Sequence, residues 1–467
     1  MNENNMNGAT DSRAQRVPQR ILAALLASVS AGVVPREGAP YIAIGRRDEI
    51  AAILQDLEHV DNGGGAMRFL IGRYGSGKSF LIQLVRGYAL EKGFLTADAD
   101  LSPERRLYGS GGGGTATYRE LIKNLASKTS PDGGALPKII AKWISNMQSE
   151  LAASGLDADS AEFRRALNER IYSTMKEMEL LVGGFDFARV INEYYSAILD
   201  SNEEKMSACL RWLRGEFSSK TEARAELGFN VSVIINDDNW YDFIKLWAAL
   251  SRRIGYRGLV VFIDECVNLY KISHRASRES NYEKILSMFN DTLQGKAAGL
   301  GIIFGGTPQF LEDTRRGLYS YEALKSRLCD SRFSAEGFKN LIGPVIRLRR
   351  LSDEELYALI CRITALHEQY YKWSARLSDD DKLDFLNVCL AKAGANSMIT
   401  PREMLRDYMT ILNILLQNPE VDFSTVVRPV LSASEMNTDQ SADTHYGTGS
   451  PQTAKSPVKY TLDDLSF

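Results

Sequence analysis

The residues with the most chemistry in them stand in one short stretch, Met67 to Ser79, MRFLIGRYGSGKS. Gly72 is followed by Arg73, Tyr74, Gly75 and Ser76, then by Gly77, Lys78, Ser79 and Phe80. This spells G-x-x-x-x-G-K-S. An apolar run leads into it and a helical pattern, Lys78 to Glu91, leads out, which is the setting a phosphate-binding loop requires. Gly72, Gly75 and Gly77 let the backbone turn so that successive N–H groups face phosphate oxygens. The helix that follows adds the positive end of its dipole. Lys78 would reach the β- and γ-phosphates of ATP, and the Ser79 hydroxyl would sit on Mg²⁺.

The second cluster is in GYRGLVVFIDECVNLY. Leu259 to Ile263 is a continuous apolar run, as expected of a strand buried in the centre of a parallel sheet. It ends in Asp264 and Glu265. Adjacent carboxylates at a strand's carboxyl end, downstream of a phosphate loop, form a Walker B pattern. Asp264 would hold Mg²⁺ together with Ser79. Glu265 would orient and deprotonate the attacking water as general base.

These groups need elements to position them. Residues 1–16 read as disordered. Pro18 opens a helix with Ile21, Leu22, Leu25, Leu26 and Val29 on one stripe, which reads as a packing surface. A helix from Asp48 to His59 and a DNGGG loop lead to the phosphate-loop strand. FLTADADLSPE reads as the next strand. Its acids, Asp98 and Asp100, are expected to cap the following helix; the alternative is an approach to Mg²⁺. The glycine run GSGGGGTAT lacks a lysine and reads as a mobile loop, with a helix beginning at Thr117. Residues 134–225 carry helical spacing and few strand signals, a helical insertion within the nucleotide domain. Arg164 and Arg165 read as solvated points on it, and Arg211 and Arg214 as further basic points. A helix over Tyr282–Leu293 precedes the strand LGIIFGGTPQF. GPVIRLRRLSDEEL supplies a last strand and a capping box, Ser352 with Glu355. Four helical patterns run from Asp353 to Gln417, with Thr400 as a cap and Pro401 in a first turn. From Ser432 the composition turns polar, and VKYTLDDLSF at the end reads as a short docking segment. The domains expected are therefore a nucleotide-binding core over 17–350, a helical lid over 351–431 and a tail over 432–467.

The bulk numbers set outer bounds. The chain has 467 residues, 44% of them apolar, with a net charge of −3, enough for two or three packed domains. That charge does not announce a nucleic-acid binder, although net charge hides distribution. Five scattered cysteines without a C-x-x-C pair and four dispersed histidines offer no zinc site and no disulfide framework, which suits a reducing cytoplasm. No apolar run approaches the ~20 residues of a membrane span, and the polar MNENNMNGATDSR start excludes a secretory signal.

Together the motifs resemble an α/β AAA+ P-loop ATPase of the origin-recognition and signalling type: a parallel sheet, a helical insertion and a C-terminal helical lid. More narrowly, RILAALLASVSAGVVP before IGRRDEI, then GRYGSGKS, YRELIKNLA, WLRGE, GYRGLVVFIDE and TPREMLRDY, in that order, resemble the shorter, BrxD-like members of the BrxC/BrxD-type ATP-binding proteins of BREX phage-defence islands. The resemblance implies that Gly45, Arg46 and Glu49 form the G-R-x-x-E element that lies over adenine, and that Thr307 is sensor 1. It implies that Arg402, or Arg406 one turn on, is sensor 2. Arg327, or else Arg332, would be a finger reaching a neighbour's nucleotide. It further implies self-assembly, DNA, and a helicase or other defence proteins as partners. Two functions follow: ATP hydrolysis driving assembly on DNA or the loading of a helicase there, or a nucleotide-gated interaction switch with little hydrolysis. The intact Lys78, Ser79, Asp264 and Glu265 favour the first. No N-K-x-D sequence points to guanine.

Overall fold

Strands buried on both faces read as near-continuous apolar runs, and the central strands of a five-stranded sheet meet that demand most fully. In the computed structural model, which describes residues 17–427 apart from 110, 177, 179–180, 331–339 and 393–399, the five strands are β1 (Ala66–Ile71), β2 (Leu95–Asp100), β3 (Leu259–Asp264), β4 (Leu300–Gly306) and β5 (Val345–Arg347). Their order in the sheet is β2-β3-β4-β1-β5, and every pair is parallel. β3 and β4 are buried at every position. Arg332, residues 1–16 and the tail from 432 lie outside the described residues.

The helices are α1 (Gln19–Ser30), α2 (Arg47–Asp61), α3 (Lys78–Glu91), α4 (Gly113–Lys123), α5 (Leu136–Ala153), α6 (Ala161–Lys176), α7 (Gly184–Leu199), α8 (Glu203–Leu213) and α9 (Lys220–Leu227). Then come α10 (Trp240–Arg253), α11 (Val267–Tyr270), α12 (Arg275–Leu293), α13 (Pro308–Glu312), α14 (Glu322–Leu328), α15 (Asp353–Tyr371), α16 (Asp379–Lys392) and α17 (Pro401–Gln417). Among the described residues the stretch from Asp353 to Gln417 holds three helices where the apolar spacing suggested four.

The chain forms two compact units, divided between Gly45 and Arg46 and again between Arg350 and Leu351. The sheet and α2 to α14 make one. Its core is continuous from the sheet into the helices of the 136–227 stretch. Phe69 of β1 stacks on Phe304 of β4 with ring centroids 5.4 Å apart. Phe187 of α7 meets Trp247 of α10 edge-on at 4.9 Å. The buried Trp247 indole donates to the Tyr118 hydroxyl of α4, which donates to the Leu213 carbonyl at the end of α8. Buried indoles and phenols need such partners, and here the partners lock α4, α8 and α10 together.

The other unit holds α1 with α15, α16 and α17, so residues 17–45 keep company with the C-terminal helices and not with the sheet. The α1 stripe predicted from spacing is buried at Leu22, Leu25, Leu26 and Val29. Gln19 donates to the Tyr370 carbonyl and Gln369 to that of Val17. Both capping boxes are formed, Ser352 with Glu355 on α15 and Thr400 with Glu403 on α17. Each satisfies two backbone donors that the helix start would leave open.

Candidate nucleotide site

β1 delivers the chain into the loop 72–77 and α3 takes it away. Gly75 and Gly77 have φ of 76° and 83°, the left-handed region where a side chain is strained. Gly72 is required for a different reason: a Cβ there would lie 2.1 Å from the Ser76 hydroxyl. That hydroxyl is buried and has no partner among the described residues. Gly77 stands before the first turn of α3, and among the described residues no side chain caps that helix. The turn therefore offers main-chain amides and one orphaned hydroxyl donor, a donor set that fits phosphate oxygens. Arg73 and Tyr74 form its exposed tip, Tyr74 at 84% exposure.

β4 lies between β1 and β3, so the loop and the acidic pair are separated by one strand. The Asp264 carboxylate crosses it. The Ser79 hydroxyl donates to Asp264 Oδ2 at 2.9 Å. What opens the way is Gly305 of β4, where a Cβ would fall 2.1 Å from Asp264 Oδ1. Sequence reasoning passed over Gly305. The signal was present in the double glycine of LGIIFGGT, since glycine inside a strand marks a close approach. Ser79 and Asp264 are hard oxygen donors, suited to an ion held by one carboxylate, a hydroxyl and substrate phosphates.

Glu265 follows with φ of 57°, a conformation that costs a non-glycine residue energy and is concentrated at functional positions. Two bonds hold it there. Its N–H donates to Asp264 Oδ1 at 2.8 Å, and its carbonyl accepts from the Asn268 side chain at 3.2 Å. Asn268 also donates to the Leu101 carbonyl at 2.8 Å, tying the ends of β2 and β3. The Glu265 side chain is exposed.

The acids of β2 part company. Asp98 accepts from Arg86 of α3 at 2.9 Å, which replaces both the capping and the metal reading for that residue. Asp100 stands opposite Asp264 in the ladder. Burial, then the nearby charges of Asp264, Glu265 and Asp98, push its carboxyl above the usual range. Burial likewise pushes the Cys266 thiol well up, so it is no nucleophile.

Arg46 is buried, and its guanidinium donates to the Ser76 carbonyl of the loop and to the Arg349 carbonyl, both at 2.7 Å, with Glu49 at 3.4 Å. It braces the loop from behind. Gly45, in the other unit, has its Cα against the Glu355 carboxylate, 2.5 Å from where a Cβ would be. Thr307 caps α13, accepting from the Phe310 N–H at 3.3 Å. Arg327 is exposed on α14 and donates to the Ala323 carbonyl of its own helix. Arg402 is in the first turn of α17, and Arg406 pairs with Asp407 at 3.1 Å.

The glycine run is not the loose loop expected. α4 begins inside it at Gly113, because Asp237 accepts from the N–H groups of Gly109 and Thr115, each at 2.8 Å. Asn281 holds the Leu107 and Tyr108 N–H groups just before it.

The sequence matches the family described as BREX system ATP-binding protein BrxC/D over residues 17–430. The chain belongs to that family. Membership gives the chain an ATP-binding role in a phage-defence system. No curated protein matches it in sequence. No helix among the described residues is long and apolar enough to cross a membrane.

Proposed function

We propose that this BrxC/D-family chain hydrolyses ATP with Mg²⁺ and acts on DNA in the cytoplasm, by assembling with itself or by loading a partner helicase. The observation that carries the hydrolytic reading is the 2.9 Å contact of Ser79 with Asp264. It joins the two motifs at the point where they would share a metal. Ser79 and Asp264 would hold Mg²⁺, and that ion, when bound, neutralises charge on the β- and γ-phosphates. Lys78 would bind the same phosphates. Glu265, exposed beside Asp264, would accept the proton of the attacking water as its oxygen bonds the γ-phosphorus and the bridging oxygen leaves with ADP. Thr307 would sense the γ-phosphate, Arg402 would be sensor 2, and Arg327 would serve a neighbouring copy's nucleotide. Gly45 and Arg46 would lie on the adenine side.

Glu265→Gln tests this reading. It should keep ATP bound and slow phosphate release by about 10²–10⁴-fold; undiminished release removes Glu265 as the base. If the unaltered chain binds ATP and releases no phosphate, the reading gives way to a nucleotide-gated interaction switch. A mobility-shift titration of DNA with and without ATP, across salt, decides the DNA part.

A further inference from the structure

On the α4 side of the sheet unit is a cavity of about 410 Å³ that the nucleotide reading does not use. Four cations line it: Arg105 after β2, Arg119 and Lys123 of α4, and Arg214 after α8; Glu120 and Glu216 are the acids present. The count leaves two positive charges in excess. The pairings are also loose. Glu120 lies 3.8 Å from Arg105 and 3.6 Å from Lys123, and Glu216 lies 4.0 Å from Arg214. Committed pairs in the same unit are closer, as Arg86 with Asp98 at 2.9 Å. Arg119 commits only Nε, to the Gly215 carbonyl at 2.7 Å; its two terminal nitrogens have no partner among the described residues.

Arg105 commits its Nε to the Asp100 carbonyl at 2.8 Å; three guanidinium groups and an ammonium lining one cavity match an anion of several oxygens, since planar N–H forks bind phosphate with paired hydrogen bonds. The volume exceeds what one phosphate group fills and is in the range of small-ligand pockets. Leu136 and Pro137 supply an apolar wall for the rest of such a molecule. We propose that this cavity is a second binding site, separate from the phosphate loop, for a phosphate-bearing ligand. The phosphate could come from a nucleic-acid strand or from a free phosphate compound. The site stands whether or not the chain hydrolyses ATP.

The test uses the full chain carrying Lys78→Ala, which silences the phosphate loop, and two probes, inorganic pyrophosphate and a short single-stranded oligodeoxynucleotide. Calorimetric titration should detect binding of at least one, weakening as salt rises. Adding Arg119→Glu or Lys123→Glu should lower that affinity on the order of tenfold or more. Lys123 is 73% exposed, so its variant folds even if Arg119→Glu does not. In a chain with Lys78 restored, both variants should bind ATP normally. Pyrophosphate alone bound identifies a small phosphate compound; the oligonucleotide bound identifies a strand backbone. Neither probe bound, or both variants binding as their parent does, overturns the proposal.

Discussion

Two glycine-rich turns in the sheet unit have the same local grammar and opposite fates. Each follows a strand, β1 or β2, and each ends in a left-handed glycine that starts a helix, Gly77 at 83° and Gly112 at 82°. In the first, no side chain among the described residues caps the helix, and Lys78 and Ser79 stand in its opening turn. In the second, the Asp237 carboxylate already occupies the amides of Gly109 and Thr115 and the Thr115 hydroxyl. Its opening turn is Gly113 and Gly114, and a Cβ on Gly114 would meet the Trp240 indole at 2.7 Å. An anion can bind where amides are open; where the protein supplies its own carboxylate the same turn is architecture. Glycine content therefore says less than what lies opposite the turn.

The sharpest way to break the contrast is to remove the cation from the open turn. Lys78→Ala would delete the charge-assisted bonds to the phosphates that we propose, each worth about 1.5–3 kcal/mol. ATP affinity in a calorimetric titration should fall by roughly 100-fold. An unchanged affinity would mean that the open amides are not where ATP binds, and the distinction between the turns would lose its functional meaning.

A smaller effect should follow from Gly305→Ala, which touches neither turn. The new methyl group would overlap Asp264 Oδ1 at 2.1 Å, and overpacking of this kind costs about 1–3 kcal/mol. The carboxylate has to swing away from Ser79. Mg²⁺-dependent ATP binding should weaken by about tenfold, while nucleotide binding measured in EDTA should change little. Equal losses with and without metal would show that the strand itself, and not the Ser79–Asp264 contact, had been disturbed.

How far the sequence reached depends on how far apart the interacting residues are. The phosphate loop and the Asp264–Glu265 pair were legible because each is a contiguous word whose strand and helix context can be read from its neighbours. The parallel sheet was legible for the same reason, in runs such as Leu259–Ile263. The supporting contacts were not. Arg46 meets Ser76 thirty residues on. Asp98 looked like a cap or a metal ligand because its partner Arg86 is on the preceding helix and not in the next one. The true start of α4 depends on Asp237, 122 residues beyond Thr115, so propensity alone placed it at Thr117. The grouping of residues 17–45 with α15 and α17 rests on contacts across more than 300 residues, such as Gln19 with Tyr370. Nothing in the local pattern of either segment encodes the pairing.

The smallest nucleotide effect belongs to the closed turn, and it makes the comparison symmetrical. Asp237→Asn keeps the size of the side chain but turns one acceptor oxygen into an N–H₂ donor. Asp237 Oδ2 accepts from Gly109, while Oδ1 accepts from both the N–H and the hydroxyl of Thr115. Whichever way the amide is flipped, a donor faces a donor on one side. An unmade bond at a half-buried site costs about 1–2 kcal/mol, read as a lower denaturant midpoint with an unchanged slope. ATP affinity should not move, because the amides that Asp237 holds are not the ones proposed to grip phosphate. If Asp237→Asn instead lowered ATP affinity as Lys78→Ala does, the two turns would be parts of one site and the glycine run would have to be counted among the phosphate ligands.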